Sequence, residues 1–148
     1  MKKGFTLLEV VVSIAGLAMI LSAGWFSFSS YAVRRELESG AARVSALITE
    51  ARSKTLAGEN NSAYGVHFEQ DRAVLFRAPT YVSGSAENKM EILARRTLIS
   101  SIDFTDSEVV FKRLTGGSVS SGSVTISVRG NPSLLKVITV ELLGTVEW

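Results

Sequence analysis

Val10-Val11-Val12-Ser13-Ile14-Ala15-Gly16-Leu17-Ala18-Met19-Ile20-Leu21-Ser22, with the uncharged residues that continue it, is the stretch on which the fold turns: no charged side chain occurs between Glu9 and Arg34. At about 1.5 Å of rise per residue, a helix of that length reaches across the roughly 30 Å hydrocarbon core of a bilayer. The run is therefore expected to be a transmembrane helix, with Trp25 and Tyr31 at the far interface. Of 16 Lys and Arg and 14 Asp and Glu, only Lys2, Lys3 and Glu9 precede Arg34, so an apolar segment is joined to a polar domain. The length, 148 residues, suits one domain, and the nearly cancelling charge gives no net basicity that would call for nucleic acid. The chain has 0 Cys and a single His, which excludes disulfides, thiolate zinc sites, cysteine nucleophiles and any multi-histidine metal site within one chain.

Lys2 and Lys3 before an apolar run, with small residues at Ser22-Ala23-Gly24, are compatible with a secretory signal peptide. Glu9 argues against that reading, because an unpaired carboxylate at the mouth of an apolar helix costs several kcal/mol in lipid and calls for a partner. The order Lys2-Lys3-Gly4-Phe5-Thr6-Leu7-Leu8-Glu9-Val10 resembles the class III signal of type IV prepilins and type II secretion pseudopilins. The resemblance implies recognition of Lys2, Lys3 and Gly4 by prepilin peptidase, cleavage between Gly4 and Phe5, and N-methylation of Phe5. It divides the chain into a leader (1–4), a transmembrane and fibre-core helix (5–33), an amphipathic helix (34–58) and a β-rich globular head (59–148).

Cleavage would place a cationic amine on Phe5 and the Glu9 carboxylate one helical turn away. The family resemblance implies that Glu9 of an incoming subunit meets the Phe5 amine of its neighbour and sets the stagger of the fibre. A buried pair of this kind contributes register more than stability, since desolvation offsets much of the Coulomb gain. Losing the leader removes Lys2 and Lys3 and leaves the side-chain charges balanced. Gly16 and Gly24 are softer points in the helix, each costing about 1 kcal/mol relative to Ala. Major type IV pilins often have a proline in this part of the stem, whereas the prolines here are Pro79 and Pro132, a departure toward the pseudopilins and minor pilins.

Leu37, Ala41, Val44, Ile48 and Ala51 recur alternately four and three apart between charged residues, the pattern of an amphipathic helix continuing the first. It should stop at 56–58, where Gly58 can take a left-handed cap, for a total of about 50 residues. Beyond Ser62 the period becomes alternating, and strands are expected at 64–69, 73–78, 92–98, 108–113, 123–129 and 135–142, with a short last one at 144–148. Turns are expected at 70–72, 116–122 and 130–133. The expected core comprises Val66, Phe68, Val74 and Phe76 from the first pair of strands, and Val124, Ile126, Val128, Ile138, Val140 and Leu142 from the later ones.

The head resembles the GspH/FimT family of minor pseudopilins and minor pilins. The similarity lies in Ala51-Arg52, Asn60-Asn61, Val66-His67-Phe68, Phe111 followed by Gly116-Gly117, and Val137-Ile138-Thr139-Val140 before Gly144-Thr145-Val146. The expected fold class is α+β: a long N-terminal helix, transmembrane in its first half and amphipathic in its second, packed on an antiparallel sheet or two-layer β head, as in the pilins.

No residue pattern points to catalysis. His67 should face the polar side of its strand, and no serine sits in Gly-x-Ser-x-Gly. Asp103, Asp106 and Glu108 lie close enough to suggest calcium, which certain pseudopilin heads bind, but they lack the oxygen periodicity and glycine of an EF-hand loop and also read as a polar turn. Arg129 and Lys136 are set against Glu141 and Glu147, and Arg95-Arg96 and Lys112-Arg113 are pairs without a neighbouring aromatic platform, which argues against nucleic acid and for a solvated face. The expected protein is thus a non-enzymatic minor pseudopilin with no cofactor and no metal. The resemblance supplies its partners: prepilin peptidase, other pseudopilins or pilins, an assembly platform and an ATPase. It also supplies the place, a single pass in the inner membrane with a periplasmic head, then the pseudopilus. A type IV pilin serving adhesion, motility or DNA uptake is the alternative, and an anchored or secreted binding module is a third.

Overall fold

The computed structural model describes Gly4 and residues 6–148, except for the side chains of residues 23–29. Helix α1 is Leu7–Leu56. The chain forms two compact units, Met1–Arg34 and Arg35–Trp148. In the first unit, every described side chain of residues 6–22 is exposed, Leu7 to 84% and Leu8 to 75%. Among the described residues no helix is long and apolar enough to cross a membrane. The expected transmembrane half, and with it the single-pass inner-membrane placement, is corrected accordingly. Among the described residues the apolar segment 7–22 rises about 24 Å at 1.5 Å per residue, against a roughly 30 Å core, and the side chains of 23–29 lie outside the description.

The second unit corrects the expected fold again: among the described residues a short helical stretch, and not a long N-terminal helix, lies against its sheets. The helical residues that enter its core run only from Leu37 through Ala41, Val44, Ile48 and Ala51 to Thr55. Beyond them the chain turns at Gly58, Asn60 and Asn61, all with positive φ. Eight strands follow: β1 Tyr64–Phe68, β2 Arg72–Arg77, β3 Lys89–Ile92, β4 Thr97–Ile102, β5 Glu108–Val110, β6 Gly122–Val128, β7 Asn131–Val140 and β8 Val146–Glu147. They make two four-stranded antiparallel sheets, ordered β3-β2-β1-β5 and β4-β6-β7-β8.

Register decides which side chains meet the helix. Val66 pairs with Leu75 and Val109, and Phe68 with Ala73. Their face also carries Lys89 and Glu91, which ion-pair with Glu50 (2.6 Å) and Arg43 (3.1 Å) of α1. On the second sheet Val124, Ile126, Ile138 and Val140 are wholly buried. Phe68 stacks on Phe104, centroids 5.7 Å apart, tying the first sheet to the segment after β4. Leu142, expected in the core, is exposed, because β7 ends at Val140 and the chain turns at Gly144.

The other face of the first sheet holds Gly65, His67, Val74 and Phe76. Val74 and Phe76 are buried there too, and the segment between β2 and β3 lays Tyr81 beside Phe76. The Tyr81 ring stands edge-on to Phe76 at 5.7 Å and is parallel to the His67 ring at 4.1 Å, the planes 8° apart.

Candidate functional site

The expected processing and assembly site lies at the start of α1. Lys2, Lys3 and Phe5, like Trp25 of the expected interface, lie outside the residues whose placement or side chains are described. Gly4 is exposed, and a Cβ built on it would meet nothing within 4 Å.

Glu9 is exposed in the first turn of the helix, and its backbone N–H donates to the Thr6 hydroxyl at 3.3 Å. Val10 N–H donates to the Thr6 carbonyl, also at 3.3 Å. Thr6 therefore caps the helix, and Thr6-Leu7-Leu8-Glu9 has the spacing of a capping box. The acid also lies near the positive end of the helix dipole. The role of Thr6 was not anticipated from the sequence, although the Thr-x-x-Glu signal was present. Among the described residues, these groups bring no second titratable side chain to Glu9, so its chemistry is that of one carboxylate at the mouth of an uncovered apolar helix.

Of the residues named in the head resemblance, Arg52, Gly116 and Gly144 meet at one place. Arg52 Nε donates to the Gly116 carbonyl at 3.0 Å and its Nη2 to the Leu143 carbonyl at 3.2 Å. The approach of these two loops depends on glycine: a Cβ on Gly144, whose φ is +78°, would run into the Gly116 carbonyl and the Arg52 guanidinium. Asn60 donates to the Tyr64 hydroxyl at 3.0 Å, and Asn61 accepts from Arg113 at 2.6 Å. This constellation shapes one end of the unit and offers no reacting group.

His67 was expected on a polar face, yet its side chain is only 19% exposed, beneath Tyr81. Its Nδ1 comes within 3.3 Å of Glu108 Oε1, but the alignment falls short of a hydrogen bond and leaves that buried nitrogen without a partner. Beside it, Glu69 accepts two hydrogen bonds from Arg72 (2.9 and 2.6 Å) and one from the Tyr81 hydroxyl (3.2 Å). The Arg72 hydrogen bonds hold the Glu69 carboxyl below its usual range. Glu108 thus faces His67, apart from Asp103 and Asp106, and among the described residues no group of three or more His, Cys, Asp or Glu is placed to hold a metal ion.

No protein-family model matches the chain, and neither a curated protein nor a solved structure does.

Proposed function

We propose that the chain is a structural subunit of a pilin-like fibre, matured by prepilin peptidase between Gly4 and Phe5, and of the minor pseudopilin kind that builds a type II secretion pseudopilus. The observation that carries this reading is the apolar segment of α1. Leu7, Leu8, Val12, Ile14, Leu17 and Ile20 are all more than half exposed, and at about 100° per residue they fall on every side of the helix. A helix apolar all round is stable only where other apolar groups cover it. Like helices from neighbouring subunits supply that cover and make the segment the core of a fibre.

The cap on Thr6 fits the same reading. Cleavage after Gly4 leaves a chain whose second residue already begins a capped helix, so the new amine and the Glu9 carboxylate lie at one end of it. In a fibre core each of these charges needs the other, because an unpaired buried charge is strongly destabilising. Glu9→Ala is therefore expected to leave cleavage and head stability unchanged while fibre incorporation falls at least tenfold; pelleting of processed chain measures it, and wild-type incorporation would remove Glu9 from assembly.

The test of the class is the intact mass and amino-terminal sequence of the chain expressed with and without prepilin peptidase. The expected product begins at N-methylated Phe5 only when the peptidase is present. A chain that begins at Met1 under both conditions, or near Gly24, defeats the proposal.

A further inference from the structure

Residues 78–88, between β2 and β3, form a strap beside the face of the first sheet that carries His67 and Phe76. The Arg77–Glu87 ion pair closes its base at 3.0 Å. Within it the Asn88 side-chain amide donates to the Val82 carbonyl at 2.8 Å, while Ser85 N–H bonds to Val82 and Asn88 N–H to Ser85. Tyr81 carries the strap down to the sheet: its ring lies on His67 and edge-on to Phe76, and its hydroxyl donates to Glu69.

Beneath that ring the hydrogen bonding is incomplete. His67 Nδ1 is buried without a partner, 3.3 Å from an oxygen of Glu108, whose side chain is itself only 18% exposed. With the imidazole neutral, either the Nδ1 lone pair faces this carboxylate and repels it, or the Nδ1 proton points off the line to the oxygen. A buried polar group left in that state costs free energy. With both nitrogens protonated, the ring attracts Glu108 of β5 and Glu69 of the β1–β2 turn, and it lies as a cation on the face of Tyr81. Arg72, the cation of that turn, is already held by Glu69. The neighbours of His67 from β2 and β3 are Val74 and Met90, which carry no charge.

We propose that His67 is an acid-operated latch for this strap. Protonated, it draws Glu108 and Tyr81 together and holds residues 78–88 on the sheet; neutral, it releases Tyr81. Closure is therefore favoured in acid, and that contribution is lost as pH rises through about 6 to 7, where an imidazole gives up its proton. Glu69 stays ionised across this range, because the Arg72 hydrogen bonds hold its carboxyl below the ordinary value. Release uncovers Phe76 and lengthens the apolar strip that exposed Met90 and Ile92 already form on the same face. The latch lies wholly within the second unit and does not depend on fibre assembly.

Amide exchange of the full-length chain, corrected for the intrinsic pH dependence of exchange, tests the latch. Protection at Ser85 and Asn88 is expected to fall at least about fivefold between about pH 5.5 and about pH 8, while Val124 and Ile126 in β6 stay level. His67→Gln and Glu108→Gln should each flatten the profile at the weak, high-pH level, and Tyr81→Leu should leave the strap weakly protected at both pH values. If His67→Gln does not fold, Glu108→Gln, which keeps the size of the side chain and removes its charge, decides alone. Strap protection that does not change with pH, a change that survives these substitutions, or one shared equally by β6 would each overturn the proposal.

Discussion

The two described stretches of α1 answer the same problem in opposite ways. From Leu37 to Thr55 apolar residues return every three or four positions, and Ala41, Val44, Ile48 and Ala51 are wholly buried against the chain's own sheets. In residues 7–22 apolar side chains occupy all sides, and none of them is buried. A one-sided stripe can be covered by one partner surface, which the same chain supplies; an all-round apolar surface needs partners on every side, which one chain of this size does not supply. The contrast separates what folds the second unit from what the fibre proposal would use for assembly.

The most forceful way to break the comparison is to make one substitution in both stretches. Ile48→Ala, at a fully buried position, should cost about 2–5 kcal/mol of folding stability. Ile14→Ala, at a position 63% exposed, should stay within about 0.5 kcal/mol yet impair pelleting of processed chain. Equal losses in thermal or denaturant unfolding would erase the distinction.

A smaller effect tests the end of the second unit. Arg52→Ala removes two charge-assisted hydrogen bonds to loop carbonyls and should cost about 1–3 kcal/mol in denaturant unfolding. Arg52→Lys should recover only part of this, because an ammonium cannot span two divergent carbonyls as the planar fork does. At the other end, Thr6→Ala should lower stability of the first turn by about 1 kcal/mol, read as faster amide exchange at Glu9 and Val10, while Ile48 exchange is unchanged.

The smallest expected effect is on pH. Glu69 has its folded pKa lowered by the Arg72 hydrogen bonds, so its contribution is fully present above the unfolded value of about 4.3 and is lost as pH falls through the lowered folded value. Glu69→Gln is therefore expected to be less stable than the parent at neutral pH, with a shallower acid profile, so that the gap closes as pH falls through the lowered folded value. A shallower profile at neutral pH instead would assign the effect to another group.

Local signals account for what the sequence made legible. Gly58 marked the end of α1 because the left-handed cap favours glycine, and alternation located β1, β2 and β6 to within a residue or two. The strand expected at 92–98 straddles a turn instead: Ile92 ends β3 while Thr97 begins β4, and Thr97 N–H bonds back to the Ala94 carbonyl. Pro132 suggested a turn, yet Arg129 and Gly130 alone make it, and β7 already pairs at Asn131. The cover of Tyr81 over His67 and the grip of Arg52 on Gly116 and Leu143 had no local signal, because each depends on residues far apart in the chain. The apolar run was legible as needing cover; its composition alone did not distinguish lipid from like helices.

That distinction is open to one direct measurement. A photo-crosslinking residue in place of Leu17, which is 62% exposed, is irradiated in assembled, processed chain, and the adduct is identified by mass. The account predicts adducts to the apolar helix of another subunit, at about the summed mass of two chains. Adducts to lipid alone, or none, would contradict it.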